Sequence, residues 1–362
     1  MIMSLANEWR PKIFDDVVGQ KYVLLAIKNS LNLGFIHHAW LFSGIRGIGK
    51  TTIARLLSKS LSCEIGISFI PCNICNNCKD IDDGHFIDLL EIDGASKTKV
   101  EDMRDLLDST QYLPLKGRFK IYLIDEVHML SKHSFNALLK TLEEPPTHVK
   151  FILVTTDFSK IPLTIISRCI QFNLKSINKF EMIKRLEYIL SKEKIAIDLL
   201  SLDLLANYSY GCMRDAISLT EQALLIGNGK IFSNIIIKML GILNKKYYFS
   251  LIRCLIFRKT KKMLLLLNDI SNHDIDWDIL LVELLVLLNK IAVMKYLPDI
   301  NNNCSISEIK FFKEISLFIT IEMIQYFYKI LLIGRRELFL SPTYKMGIEM
   351  ILIKAILYIP IK

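Results

Sequence analysis

This 362-residue sequence predicts an α/β fold: a parallel five-stranded sheet, then a small helical domain and a larger all-helical one. Three observations carry that expectation. Up to about residue 175, short apolar runs alternate with amphipathic helical patterns. The runs are apolar almost throughout, as strands covered on both faces must be. Beyond Asn173 the strand signal fades, and helical periodicity continues to the end.

The predicted strands are Ala39–Phe42, Phe86–Ile92, Phe119–Ile124, Val149–Val154 and Cys169–Phe172. Between them, Thr51–Ser62 sets Ile53, Leu56, Leu57 and Leu61 on one side of a helix. Ser134–Glu143 does the same with Phe135, Leu138, Leu139 and Leu142, and Pro145–Pro146 stops it. Strand–helix alternation of this kind builds a doubly wound sheet. Residues 178–240 read as several short helices punctuated by Gly211, Gly227 and Gly229. From Gly241 the pattern is very apolar, with one polar break at Pro298–Ser305. The predicted domains are therefore 1–177, carrying a cysteine-rich insertion at 63–78, then 178–240 and 241–362. No repeat or low-complexity tail is visible.

An apolar content of 51% excludes a disordered chain. Mean hydropathy is +0.33. Even so, the oiliest stretch, Leu280–Val293, is interrupted by Glu283, Asn289 and Lys290, so no membrane span is expected. The first ten residues carry Glu8 and Arg10 and lack an apolar signal core, which predicts a cytoplasmic protein. The net charge of +9 suits a polyanionic partner such as nucleic acid. It also suits AT-rich coding, which enriches Lys, Ile and Asn, and charge alone decides between neither.

Gly44-Ile45-Arg46-Gly47-Ile48-Gly49-Lys50-Thr51 fits the phosphate-loop pattern G-x-x-x-x-G-K-T. It lies between a predicted strand and a predicted helix, the context that separates such a loop from a glycine-rich turn with a chance lysine. Its glycines let backbone N–H groups, continued by Thr52, face the phosphates of ATP at a helix N-terminus. Lys50 is expected to reach the β- and γ-phosphates, and the Thr51 hydroxyl to ligate Mg²⁺. Downstream, the strand Phe119–Ile124 runs into Asp125-Glu126. Carboxylates at the C-terminal end of a buried strand sit where a doubly wound sheet keeps its site. Asp125 is expected to hold the Mg²⁺ shell and Glu126 to polarise the attacking water. Two solvated acids opening a helix would look the same without the upstream loop. His128 is given no chemistry.

Of eight cysteines, Cys63, Cys72, Cys75 and Cys78 fall within sixteen residues. Four thiolates at this spacing suit tetrahedral structural Zn²⁺ with no position left for substrate. Free surface thiols are the plain alternative. Metal binding would organise a segment, Glu64–Gly84, with little apolar content of its own. Cys169, Cys212, Cys254 and Cys304 are expected to be small core residues.

Together these motifs bring a family into view. Glu8-Trp9-Arg10-Pro11 with Phe14–Gln20, Asp125–Leu130, Ala137–Pro146, Ser167-Arg168-Cys169 and the four cysteines after the P-loop helix resemble the clamp-loader AAA+ ATPases of the bacterial DNA polymerase III holoenzyme. The resemblance covers nearly the whole chain and is densest through residue 225. It implies an AAA+ P-loop domain with a zinc module, a helical lid and an all-helical collar for oligomerisation. It implies other clamp-loader subunits in a hetero-pentameric ring-like assembly, a sliding clamp, and primer–template DNA as partners. ATP hydrolysis would drive loading of the clamp onto DNA.

Residue by residue, it implies that Arg168 is an arginine finger supplied in trans, where the bland reading is a surface salt bridge. It places sensor 1 at Thr155 or Thr156, and sensor 2 at Arg214, otherwise an ion pair with Asp215 or Glu221. It places DNA contacts at Ser96, Lys97 and Thr98, ahead of a helix that could simply be capped there. The holoenzyme as a whole is a DNA-directed DNA polymerase, a nucleotidyltransferase, but no polymerase active site is visible in this chain. The long C-terminal extension of some members is not seen, so direct contact with the polymerase core and helicase is not expected. Two competing readings are a non-hydrolysing structural clamp-loader subunit and a branch-migration helicase. The intact Lys50, Thr51, Asp125 and Glu126 argue against the first. The cysteine module and the missing winged-helix signal argue against the second.

Overall fold

The computed structural model describes residues 5–96, 103, 106–272, 275–297 and 306–357, without the side chains of 306 and 307. The chain forms two compact units, Met1–Phe232 and Ser233–Lys362.

The first unit is organised by strands β1 (Ala39–Ser43), β2 (Leu89–Asp93), β3 (Lys120–Asp125), β4 (Val149–Thr155) and β5 (Ile170–Asn173). All pairings are parallel, and the order is β2-β3-β4-β1-β5. β1 and β4 are buried along their whole length, which explains their largely apolar sequence. Alternate residues serve opposite faces. Trp40, Phe42, Ile121, Leu123, Ile152 and Val154 share one core with Ile53, Leu56, Leu57 and Leu61 of helix α3 and with Ile27 and Leu31 of α2. Leu41, Tyr122, Ile124, Phe151 and Leu153 share the other with Phe135, Leu138 and Leu142 of α5. These helices are α2 (Lys21–Leu33), α3 (Lys50–Ser62) and α5 (Lys132–Glu143). Full burial of each such side chain contributes roughly 1.5–3 kcal/mol. The shorter helices α1 (Leu5–Glu8), α4 (Asn76–Asp82) and α6 (Leu163–Ile166) complete this layer.

Two of these boundaries differ from the sequence expectation by more than one residue, for local reasons. β2 begins at Leu89, not Phe86, because Phe86 turns back to accept the Leu89 N–H. That turn buries Asp88, which is only 2% exposed and accepts the backbone N–H groups of Leu115 (2.8 Å), Lys116 (2.7 Å) and Gly117 (2.6 Å). The helix expected from Ser134 begins two residues earlier. The Ser131 side chain caps it by accepting the Ser134 N–H.

Three helices follow the sheet: α7 (Lys179–Lys192), α8 (Leu199–Tyr208) and α9 (Met213–Ile226). Asn178, Asp198 and Cys212 cap them through their side chains. The N-terminal segment is fastened to this layer from far away in sequence. The Trp9 indole donates to Glu193 (2.9 Å) and meets Tyr188 edge-on, and Arg185 pairs with Asp16 at 3.4 Å. Gln20 and Lys175 exchange two hydrogen bonds.

The second unit is helical: α10 (Ser233–Met239), α11 (Lys245–Ile256), α12 (Thr260–Ile270), α13 (Trp277–Tyr296), α14 (Ile306–Ser316), α15 (Ile321–Glu337) and α16 (Tyr344–Leu357). α13 is buried through Leu280, Leu281, Leu284, Leu285, Leu287, Leu288 and Ile291, which accounts for the oiliest stretch of the sequence as core. At Gly334 a Cβ would sit 2.6 Å from Ile351, so α15 and α16 approach each other where no side chain fits. Among the described residues no single helix is long and apolar enough to cross a membrane.

Removing the buried Asp88 carboxylate leaves the Leu115, Lys116 and Gly117 N–H groups without their acceptor. Asp88→Ala is expected to lower the stability of the first unit by about 3 kcal/mol. Urea unfolding followed by far-ultraviolet circular dichroism would measure the loss, and a change below about 0.5 kcal/mol would contradict this account of the loop.

Candidate functional site

β1 delivers the chain into the P-loop, and α3 begins at Lys50 straight after it. Gly47 is at φ +76°, and a Cβ there would stand 2.1 Å from the Cys212 sulfur. Glycine at this apex is thus required twice, by conformation and by space. The Arg214 N–H donates to the Gly47 carbonyl at 3.3 Å, so the start of α9 rests directly on the loop.

Lys50 is buried, and its Nζ donates to the carbonyls of Gly44 and Ile45, each at 2.8 Å. Burial lowers its pKa, and the carboxylates of Glu126 and then Asp125 oppose that shift. The next residue, Thr51, donates from its hydroxyl to Asp125 Oδ2 at 2.7 Å. The two residues expected to hold Mg²⁺ therefore touch, one from the first turn of α3 and one from the end of β3. An oxygen pair of this kind suits a hard cation.

Glu126 follows Asp125 in the left-handed region, at φ +49°. Its Oε2 accepts from the Thr156 N–H (3.1 Å) and hydroxyl (2.8 Å) and lies 3.3 Å from His128 Nδ1. The neighbouring threonine behaves differently. Thr155 is fully buried, donates to the Asp157 carbonyl (3.0 Å), accepts the Asp157 N–H (3.1 Å) and lies 3.1 Å from His128 Nδ1. Thr156 lines the cavity beside the P-loop and Thr155 does not.

That cavity measures about 1220 Å³. The whole P-loop from Ile45, Asp125, Glu126, Thr156 and Arg214 border it, and Val17, Val18, Ile177 and Ile217 supply apolar wall. Arg10 also borders it. Its guanidinium pKa is lowered first by burial and then by the nearby charge of Arg55. Four residues here escaped sequence reasoning as individuals: Trp9 and Arg10, visible only as parts of a motif, His128, and Cys212. The Cys212 thiol packs under Gly47, and burial pushes it up to about 11. Its one sequence signal was a position just ahead of a helix.

Arg168 does not line this cavity. It stands partly exposed after α6, where Nη2 donates to Glu143 (2.7 Å) and Nη1 to the Thr164 carbonyl (2.7 Å). The salt bridge that was the bland alternative is thus present. Of the residues expected to meet DNA, Ser96 is exposed and donates to the Asp93 carbonyl at 3.1 Å. Lys97 and Thr98 lie outside the described residues.

The four clustered cysteines converge. Their sulfurs all lie within 4.8 Å of one another, with Cys72 and Cys78 at 3.9 Å. A tetrahedron with metal–sulfur bonds of about 2.3 Å has edges of about 3.8 Å, so the set is compatible with Zn²⁺ after a small contraction. Cys63 and Cys78 are buried. The Cys75 N–H points at Cys72 and the Cys78 N–H at Cys75, both at 3.4 Å. Hydrogen bonds from the Ile74 and Cys75 backbone lower the Cys72 thiol to about 6, whereas burial pushes the Cys78 thiol up. Cys169, Cys212 and Cys254 are buried core residues as expected, and Cys304 lies outside the described residues.

Family models match along nearly the whole chain. One described as DNA polymerase III, delta subunit, matches residues 19–178. The ATPase lid domain of the DNA polymerase III clamp loader subunit matches 181–229, and domain III of the DNA polymerase III subunits gamma and tau matches 231–361. The chain is 51% identical over 357 residues to the DNA polymerase III subunit tau of Escherichia coli, covering 98% of itself and 55% of that protein. It is 50% identical over 356 residues to the DNA polymerase III subunit gamma of Buchnera aphidicola subsp. Schizaphis graminum, covering 97% of each. It thus spans about half the length of the tau relatives it matches and nearly all of the gamma relative. Among solved structures, a Thermotoga maritima RuvB Holliday junction branch migration motor aligns at a TM-score of 0.49 and 23% identity, over 68% of this chain and 79% of that one. That last likeness is too slight to bear on function. From the full-length matches at about half identity, this chain belongs to the gamma/tau family of DNA polymerase III subunits.

Proposed function

We propose that the chain is an ATP-driven motor subunit of the bacterial clamp loader, which hydrolyses ATP to load the sliding clamp onto primed DNA. The observation that carries this reading is convergence. Lys50, Thr51, Asp125, Glu126 and Thr156 come from three separate strand ends and meet at one cavity large enough for a nucleoside triphosphate.

In this reading the P-loop backbone from Gly44 to Thr52 cradles the phosphates and Lys50 neutralises them after exchanging its carbonyl partners for phosphate oxygens. Thr51 and Asp125 would hold Mg²⁺, which when bound offsets charge on the β- and γ-phosphates. Val17, Val18, Ile177 and Ile217 offer the apolar surface that a base requires. Glu126 orients the attacking water, and Thr156 is the sensor. A phosphate that engages the Thr156 hydroxyl takes one hydrogen bond away from Glu126 and leaves that carboxylate freer to hold water. Thr155, spent on Asp157, has no such part. Arg214 reads the nucleotide from the first turn of α9, and its backbone bond to Gly47 ties that reading to the loop. Arg168, on a different surface, serves the nucleotide of a neighbouring subunit in the ring. The Cys63–Cys72–Cys75–Cys78 set holds structural Zn²⁺. Ser96, Lys97 and Thr98 contribute phosphate contacts to DNA. DNA synthesis is not assigned to this chain.

Four measurements test the reading. ATPase activity of the full chain, assayed with partner subunits, sliding clamp and primed DNA, should rise above the basal rate; no stimulation by that set means it is not a clamp-loader motor. Glu126→Gln should keep ATP binding while slowing hydrolysis on the order of 10²–10⁴-fold. Arg168→Ala should also bind ATP normally but lose on the order of 10³-fold in stimulated hydrolysis, whereas lost ATP binding would rule out a trans role. For the metal, elemental analysis should find about one zinc per chain, and Cys78→Ser should abolish it.

A further inference from the structure

The zinc module and the nucleotide pocket are joined by one buried cation. Lys59 lies in α3 and is 1% exposed. Its Nζ donates to both oxygens of Asp82, at 2.8 and 2.6 Å, and to the backbone carbonyl of Lys12 at 3.3 Å. A fully buried ammonium holds its place only when paired and hydrogen-bonded, so all three contacts are required of it.

Each partner leads somewhere. Asp82 is the last residue of α4, four positions after the cysteine Cys78, so thiol and carboxylate share one face of that helix. Lys59 lies in the last turn of α3, and Cys63 is the residue that ends that helix. The two helices are thus bridged at adjacent levels, by the metal-ligating thiols and by the Lys59–Asp82 pair. The Lys12 carbonyl follows Arg10-Pro11, which form part of the wall of the nucleotide cavity. Arg10, Lys12, Arg55, Lys59 and Asp82 line one small cleft together.

We infer that Lys59 is a positioning residue through which metal occupancy of the cysteine cluster sets the affinity of the nucleotide pocket. With the four thiolates gathered, α4 holds Asp82 over α3, Asp82 holds the ammonium, and the ammonium holds the Arg10–Lys12 wall. With the thiolates released, α4 loses its anchor, because the segment from Glu64 to Cys75 forms no helix or strand of its own. The wall then loses one of its tethers, keeping those that Trp9, Asp16 and Gln20 make. Coupling of this kind is reciprocal, so nucleotide must also tighten zinc.

The inference rests on the zinc and ATP assignments above, and the experiment separates their failure from its own. Affinity of the full-length chain for a fluorescent non-hydrolysable ATP analogue is measured zinc-loaded and after chelation, in wild type, Lys59→Met and Asp82→Asn. Zinc content and a cooperative thermal melt are recorded for each. Stripping zinc is expected to weaken wild-type affinity about tenfold, and the same nucleotide to slow zinc transfer to a chromophoric chelator by about tenfold. Zinc-loaded Lys59→Met should already bind about tenfold more weakly and lose less than about twofold more on stripping. If that variant fails to melt cooperatively, Asp82→Asn, altered at a partly exposed position, carries the same comparison. Unchanged wild-type affinity after chelation overturns the inference, as does a tenfold chelation effect that survives in the variants. Wild type without zinc, or zinc-loaded wild type that binds no analogue, would instead sink the underlying assignment.

Discussion

The candidate site depends on the register of β4 against its two neighbours. Ser43 of β1 stands opposite Thr155, and Ile124 of β3 opposite Leu153. Those pairings bring Gly44, Asp125-Glu126 and Thr156 out of the sheet at nearly one level, so a loop, two acids and a hydroxyl meet without any long excursion of the chain. Because side chains alternate, a slip of one residue would turn Ile152 and Val154 toward the wrong core and carry the acids out of reach. Two buried faces make such a slip very costly. The core that specifies the sheet therefore also specifies the site.

Around that edge, charge is arranged in short, mutually dependent contacts. Lys50 is buried and spends its protons on backbone carbonyls, while Asp125 and Glu126 pull it toward the charged form. Asp125 is shared by Thr51 and by the backbone N–H of Glu126, at 2.9 Å. Glu126 is shared by Thr156 and His128. Each of these groups already has a protein partner, so a polyanion entering the cavity competes for existing hydrogen bonds instead of filling bare ones. Changes in one partner must then be felt by the next.

Much of this was legible in the sequence wherever the determinants are local. The P-loop is eight consecutive residues, the strands are runs of buried apolar residues, and the cysteine knuckle closes within one helical turn. What the sequence concealed depends on distance along the chain or on a single side-chain choice. Thr155 and Thr156 are chemically identical neighbours, and only the fold sends one to Asp157 and the other to the cavity. Cys212 read as a core residue, but its sulfur sets the space allowed at Gly47. Asp88 looked like part of a strand because nothing nearby announces the three N–H groups that arrive from Leu115–Gly117. The pairing of Trp9 with Glu193 spans 184 positions and has no local signature at all.

That last contact gives the molecule an intrinsic optical probe. The sequence holds three tryptophans. Trp40 is sealed in the sheet and does not line the nucleotide cavity, and Trp277 packs against the core of the second unit. Trp9 borders that cavity while its indole is hydrogen-bonded to Glu193, just past the end of α7, and set edge-on against Tyr188 within that helix. Any rotation of α7 away from the N-terminal segment would change the polarity and the quenching that this one indole experiences. The emission of unlabelled protein thus carries a record of how the helices after the sheet sit over the pocket.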